Sequence, residues 1–497
     1  MKQTAKQPIS TDRELMRNSE IRNGEFIRYY GKQSEVVIPD TVTTIAISAF
    51  AGNPYVTRVV LGKNVSVIRP EAFRNCRGLK SVSFPASLRL IGDDAFRGCS
   101  SLVSAILPRS VISLGAGAFR NCTSLSTLVL SANLESIGAG AFCNCTALTE
   151  VSLPERLTAI HRSAFWGCSA LRQVSFPENL QTVARYAFGR CSALEEVDLP
   201  PHITYLGSGA FCECHALKGI RIPAQARFVG DYTFSCCENL EWVELPESVT
   251  YIGINSFFSC GKLERITLPK SLTHIAPAAF WGCKSLTSVQ ISASVRELGQ
   301  RAFAYCTALK EVTLDADLTA IEDETFHSCF ALESIRIPAN VKRIGKKAFH
   351  RCVSLSSLRF MGAAIESIES GAFSECRSII ELSLPASLRQ IESKAFEGCS
   401  NLQTVIMPEH RIRTSRGIFA GCEHLRLIVV PSSQRLVLHM LDRWEVPTST
   451  HTRTVPHSEL RLALLFAEQA KPETTPERRE ELEQEIQYLL AKAGRHP

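Results

Sequence analysis

Nineteen cysteines are the first candidates for chemistry, because thiolates ligate zinc, form disulfides and attack electrophiles. Cys143-x-Cys145 and Cys212-x-Cys214-His215 come nearest to a metal motif. Zinc sites usually join C-x2–4-C pairs in fours, and no second pair stands beside either one. Asp315-Ala316-Asp317 is a lone pair of carboxylates, and the twelve histidines are scattered. Gly115-Ala116-Gly117 and Gly138-Ala139-Gly140 imitate the opening of a dinucleotide fingerprint. No nucleophile elbow, metalloprotease helix motif or phosphate loop occurs. The residue types for chemistry are present, but no set of them is assembled. The expectation is no enzyme, no metal and no cofactor.

What organises these residues is a repeat. Phenylalanines stand at 50, 73, 96 and onward to 349, always 23 residues apart. One interval of 24 leads to Phe373, and Phe396 and Phe419 resume the shorter step. That makes seventeen coils with one inserted residue, in the stretch 361–364. Sixteen of the cysteines sit three residues after a repeat phenylalanine, which leaves only Cys143, Cys212 and Cys236 to explain. The cysteine pairs are therefore three coils apart, roughly 14 Å at strand spacing and too far for one ion. In the first coil Asn53 takes the cysteine's place, as suits a small buried group that hydrogen-bonds the turn. Disulfides between neighbouring coils fit the Cα spacing, but an in-register ladder points its side chains in parallel.

The unit reads L-x-x-V-x-L-P-x-x-L-x-x-I-x-x-x-A-F-x-x-C-x-x. Its V-x-L piece, such as Val151-Ser152-Leu153, alternates as a short strand with one face inward. Proline ends each strand because it offers no ladder N–H. Glycine after the isoleucine (Gly92, Gly138, Gly253) is expected to permit a tight bend. One coil cannot bury its own apolar face, whereas stacked coils share a continuous core.

The landmarks L-P, I-G and A-F-x-x-C resemble the BspA-like leucine-rich repeats from about Ile21 to Pro431. The lead-in matches as well: Glu25-Phe26-Ile27, Tyr30-Gly31 and Val36-Val37-Ile38-Pro39 precede the first coil, with Asn23-Gly24 as a hairpin turn. The resemblance implies an α/β repeat solenoid, a right-handed leucine-rich-repeat superhelix with short parallel strands, plus a C-terminal helical cap. It implies binding of a protein or surface macromolecule rather than catalysis. The expected divisions are a flexible tail over 1–19, a hairpin and half-coil over 20–50, the solenoid over 51–431, and a linker with two helices over 432–497.

If valine and leucine of V-x-L point inward, the residues beside them form an outer sheet face. Most coils place Ser, Thr or other small polar groups there. From the coil of Phe142 to that of Phe257 the face is richer, with Glu150, Glu196, Asp198, Arg221, Trp242, Glu244 and Arg265. An outward tryptophan amid charge suits a binding hot spot. The same residues also suit a structural reading, with Asp198, Arg221 and Glu244 as a cross-strand charge ladder and Arg265 stacked on Trp242. Trp166 and Trp281, directly after their phenylalanines, form either a second sticky surface or partly covered structural aromatics.

Ser458–Ala470 reads as one helix, with Leu460, Leu464 and Ala467 along one side. A second starts at Thr475-Pro476, runs through Leu482, Ile486, Leu489 and Leu490 to about Ala493, and stops at Gly494. The pair either covers the last coil or joins chains. A net charge of +6, with arginines scattered from 411 to 461, makes no case for nucleic acid. No stretch approaches the ~20 apolar residues of a membrane helix. The first twenty residues lack a secretory apolar core, so the reading is cytoplasmic, with a cell-surface location by a non-standard route as the alternative.

Overall fold

The alternating V-x-L pieces form strands of two to five residues that pair in parallel with those of neighbouring coils, in runs of two to four strands. The structure is a computed structural model that describes residues 12–362, 364–408, 410–431, 438–455 and 476–492. It divides into two compact units, Met1–Thr307 and Ala308–Pro497.

In the first unit a hairpin opens the chain. Ser19–Arg22 pairs antiparallel with Glu25–Tyr29, and Asn23 (φ 51°) and Gly24 (φ 75°) make the expected turn. A helix, Asp12–Arg17, precedes it and buries Leu15, so regular structure begins inside the segment expected to be a tail. The coils then carry two parallel ladders. One is the V-x-L ladder, exemplified by the four strands Glu196–Val197, Gly219–Arg221, Trp242–Glu244 and Arg265–Ile266. The other runs on the return side through two-residue strands such as Val67–Ile68, Leu90–Ile91 and Ser113–Leu114.

No helix lies in the described coils. Their return segments are turns and short strands, so each unit is a parallel β-solenoid and the expected α/β character is corrected. The reason is the 23-residue length. Phe50, Phe73 and Phe96 already donate their amides to the alanine carbonyls of the next coil, and a helix would turn those donors back on itself. Gly92, Gly138 and Gly253 also have a different purpose from the expected bend. None has a positive φ, and a β-carbon there would fall 2.4–2.7 Å from a backbone nitrogen of the preceding coil. They permit coils to approach.

The interior is an aromatic spine beside a thiol ladder. From Phe50 to Phe303 adjacent rings stack with centroids 4.8–6.0 Å apart. Beside them eleven thiols, Cys76 to Cys306, each donate to the phenylalanine carbonyl of the preceding coil at 2.9–3.3 Å. Asn53 replaces that donor in the first coil, giving Nδ2–H to the Gly31 carbonyl and accepting from the Tyr55 and Val56 amides. This is the small hydrogen-bonding group that the repeat called for.

The second unit repeats the scheme through Phe326 to Phe419 and absorbs the extra residue near 363 by shifting the pairing to Arg343–Ser367, 24 positions apart. After the last coil, helix Leu438–Trp444 supplies the missing partners: the Gly417 and Phe419 amides donate to the Arg443 and Trp444 carbonyls. Buried Trp444 meets Phe419 edge-on at 6.2 Å, and its indole N–H donates to Thr414. Strand His451–Val455 then extends the sheet beside Leu427–Pro431. The helix expected at Ser458–Ala470 lies outside the described residues, as do Thr475, Ala493 and Gly494. The helix expected after it is present as Pro476–Lys492, with Leu482 and Ile486 buried.

Candidate binding surface

Side chains alternate across the V-x-L strands, so valine turns in and its neighbours turn out. Val197, Ile220, Val243 and Ile266 are buried, while Glu196, Arg221, Trp242, Glu244 and Arg265 lie outside them on one four-stranded sheet. Asp198 follows directly after the first of these strands. Glu150 stands apart on a separate two-stranded piece, Glu150–Ser152 with Gln173–Ser175. The structure thus gathers six of the seven expected residues.

In the column before the valine, Glu196, Gly219, Trp242 and Arg265 are in register. Gly219 is the residue that the sequence pattern understated. A β-carbon there would fall 2.0 Å from Cε2 of Trp242, so the indole rests in the space that this glycine leaves open. The signal was a glycine in a strand column where other coils carry a side chain. Trp242 nevertheless keeps 46% of its surface exposed. Among the described residues no cation–π contact joins Arg265 to Trp242, so the expected stack is replaced by the seat on Gly219.

In the other column the Arg221 guanidinium grips Glu244, with Nε to Oε2 at 2.5 Å and Nη2 to Oε1 at 3.4 Å. That hydrogen bonding lowers the pKa of the Glu244 carboxyl and raises that of Arg221, to which Asp198 adds a smaller electrostatic contribution. This part of the expected charge ladder is present. Both side chains are solvated, so the pair orients charge more than it stabilises the fold.

A second feature escaped the pattern of small polar residues. Ile106 (60% exposed) and Val129 (49%) are paired in the outward column of earlier coils, beside exposed Val103. The signal was an apolar residue at the middle of V-x-L. On the return side, Trp166 and Tyr186 fill spaces over Gly189 and Gly209, with the Arg190 guanidinium 5.1 Å above the Trp166 ring. Trp281 stacks flat on Phe258 at 4.4 Å. Both tryptophans are half-buried, partly covered structural aromatics.

The cysteines supply no reactive centre in this arrangement. None of the nineteen stands in a disulfide, and eighteen are buried. Burial pushes Cys76 and Cys168 up to about 12 and Cys99 and Cys260 well above their usual range, which keeps them protonated donors. Among the described residues no group of three or more His, Cys, Asp or Glu is placed to hold a metal.

The model of the BspA type leucine rich repeat region matches residues 19–146, 113–241, 227–356 and 319–438. The chain belongs to the BspA-type leucine-rich-repeat family. A leucine-rich repeat protein from Bacteroides ovatus is 24% identical to this BspA-type chain over 87% of it and 94% of its own length, with a TM-score of 0.50, and shares the fold. A leucine rich cell surface protein from Faecalibacterium prausnitzii is 21% identical over 86% and 93%, at a TM-score of 0.40. The T. pallidum leucine-rich repeat protein is 31% identical over 39% of this chain and 82% of its own, at 0.33. No match was found among curated proteins. BspA-type and related repeat proteins generally mediate protein binding. Among the described residues no helix is long and apolar enough to cross a membrane.

Proposed function

We propose that this chain is a non-enzymatic scaffold that binds a protein or cell-surface macromolecule over the sheet face formed by Glu196, Asp198, Arg221, Trp242, Glu244 and Arg265, with Glu150 at its margin. The observation that carries the reading is Trp242: an indole fixed in a glycine seat, half exposed, with the Arg221–Glu244 pair and the outward Arg265 around it. Rigid aromatic area beside charge contributes affinity at low ordering cost. Replacing Trp242 and Arg265 by alanine is expected to weaken partner binding at least tenfold and leave the melting temperature unchanged. Retained affinity would remove this patch from consideration.

The thiol ladder works as a hydrogen-bond donor only while reduced, which favours a reducing compartment such as the cytoplasm; a surface location by a non-standard route is the alternative. Titration of freshly isolated protein separates the two: thiols hidden until denaturation support the first, and thiols that appear only after reductant support the second. The burial of Leu482 and Ile486 favours helix Pro476–Lys492 as a cover for the last coils over a chain-joining element. Deleting residues 458–497 is then expected to lower stability without changing the assembly mass.

A further inference from the structure

A concave site opens at the N-terminal end of the first unit, independent of the sheet-face reading. A cleft of about 470 Å³ is lined by the segment from Arg28 to Lys32 and by the turn from Ser48 to Tyr55. Its size falls in the range of ligand-binding clefts. The local sequence explains the opening. Gly52 has φ +72° and nothing within 4 Å of where a β-carbon would stand, so that side of the cleft is open, while the Tyr29 phenol covers Gly31. Tyr29 is buried and fixed by donating its hydroxyl to Gln33. Tyr30 and Tyr55, in contrast, are 64% and 46% exposed.

The charged lining residues are of one sign, with Glu20 across the strand from Arg28 and Glu71 bonded to Ser48 just outside them. Arg28 and Lys32 line the cleft, no acid does, and neither cation has an ion pair among the described residues. Lys32 lies over the Tyr55 ring at 5.7 Å, which holds its ammonium group at the cleft instead of leaving it to sweep through solvent. The backbone amides of Gly31 and Lys32 donate to no acceptor among the described residues, adding two neutral donors to the two cations. Lone tyrosines on a surface are ordinary. Two exposed rings, two unpaired cations and two unspent amides on one cleft make a set that fits carboxylates carried on an extended chain.

We infer that this cleft binds an acidic peptide segment of a partner, with carboxylates held by Arg28, Lys32 and the Gly31–Lys32 amides, and an apolar or aromatic side chain laid against Tyr30 and Tyr55. The chain's own first eleven residues carry two lysines and no acid, the wrong sign to occupy it.

The test is fluorescence anisotropy with a fluorescein-labelled Glu-Glu-Tyr-Glu-Glu peptide and its Gln-Gln-Tyr-Gln-Gln counterpart, using the full chain at low and moderate salt. The acidic peptide binds and the amide version does not. Affinity falls as salt rises, because exposed charges are screened within a Debye length of ~10 Å at 0.1 M. The double variant Arg28→Glu/Lys32→Glu loses at least tenfold, Tyr55→Ala loses several-fold, and the remote Arg296→Glu loses nothing, all with unchanged melting curves. Equal binding of the two peptides, an equal loss in the remote variant, or no binding at low salt overturns the assignment. Preferential binding of heparin or inorganic phosphate also overturns it, because the site would then read bare anions rather than peptide. Unchanged peptide binding by the Trp242→Ala/Arg265→Ala variant keeps this result separate from the fate of the sheet face.

Discussion

The interior column and the outer sheet face of the first unit follow opposite rules. Inside, each coil repeats one solution: a phenylalanine stacked on its neighbours and a thiol donating to the preceding coil's carbonyl. Outside, register is kept but identity is not. The column that holds Ile106 and Val129 later holds Asp198, Arg221 and Glu244. Interior residues must satisfy a neighbour identical to themselves, which allows few answers. Exterior residues answer to solvent or to a partner, so departures from the repeat are where specificity can be written.

The contrast can be broken most forcefully from within. Phe188→Ala opens a cavity in the ring stack and is expected to cost roughly 3–5 kcal/mol in urea denaturation. A loss near zero would mean that the spine does not carry the fold. Gly189→Val pushes a side chain into the Trp166 indole, where even a β-carbon would sit 2.4 Å from Cζ3. It is expected to cost about 1–3 kcal/mol and to shift tryptophan emission. Cys191→Ala removes one of the two donors to the Phe165 carbonyl, which keeps the Cys168 amide, a loss of about 1 kcal/mol. Trp242→Ala, on the outer face, should stay within about 0.5 kcal/mol of the parent.

The second unit adds a pH term. His327 stacks on His350 at 5.0 Å, and burial, reinforced by the neighbouring imidazole, lowers the His327 pKa from 6.5 to about 4. Burial lowers that of His350 as well. The unfolded chain therefore takes up these protons first, so stability is full above pH 6.5 and falls as pH drops toward 4. Melting temperatures measured across that window should decline in the parent and decline less in His327→Gln.

Much of the fold was legible because periodicity states it directly: Phe188, Cys191 and the alternation around Val197 specify a coil that can bury its face only by stacking. The return segments were harder. Glycines such as Gly92 read equally well as bends or as close approaches, and only the neighbouring coil decides between them. The sheet face was half legible. Its outward columns identified Trp242, Arg221 and Glu244, but a seat such as Gly219 is a property of two coils, and a single-coil pattern does not contain it. Helix Leu438–Trp444 was missed for a related reason, since Trp444 replaces a repeat phenylalanine without keeping the repeat's spacing.

The most direct test of the account is to compare partner retention by the parent and by Trp242→Ala/Arg265→Ala, with melting curves recorded on the same samples. Matched melting and at least a tenfold loss of binding are expected. Matched melting with full binding would contradict the account, and would show that the richest stretch of the sheet face is ordinary solvated surface.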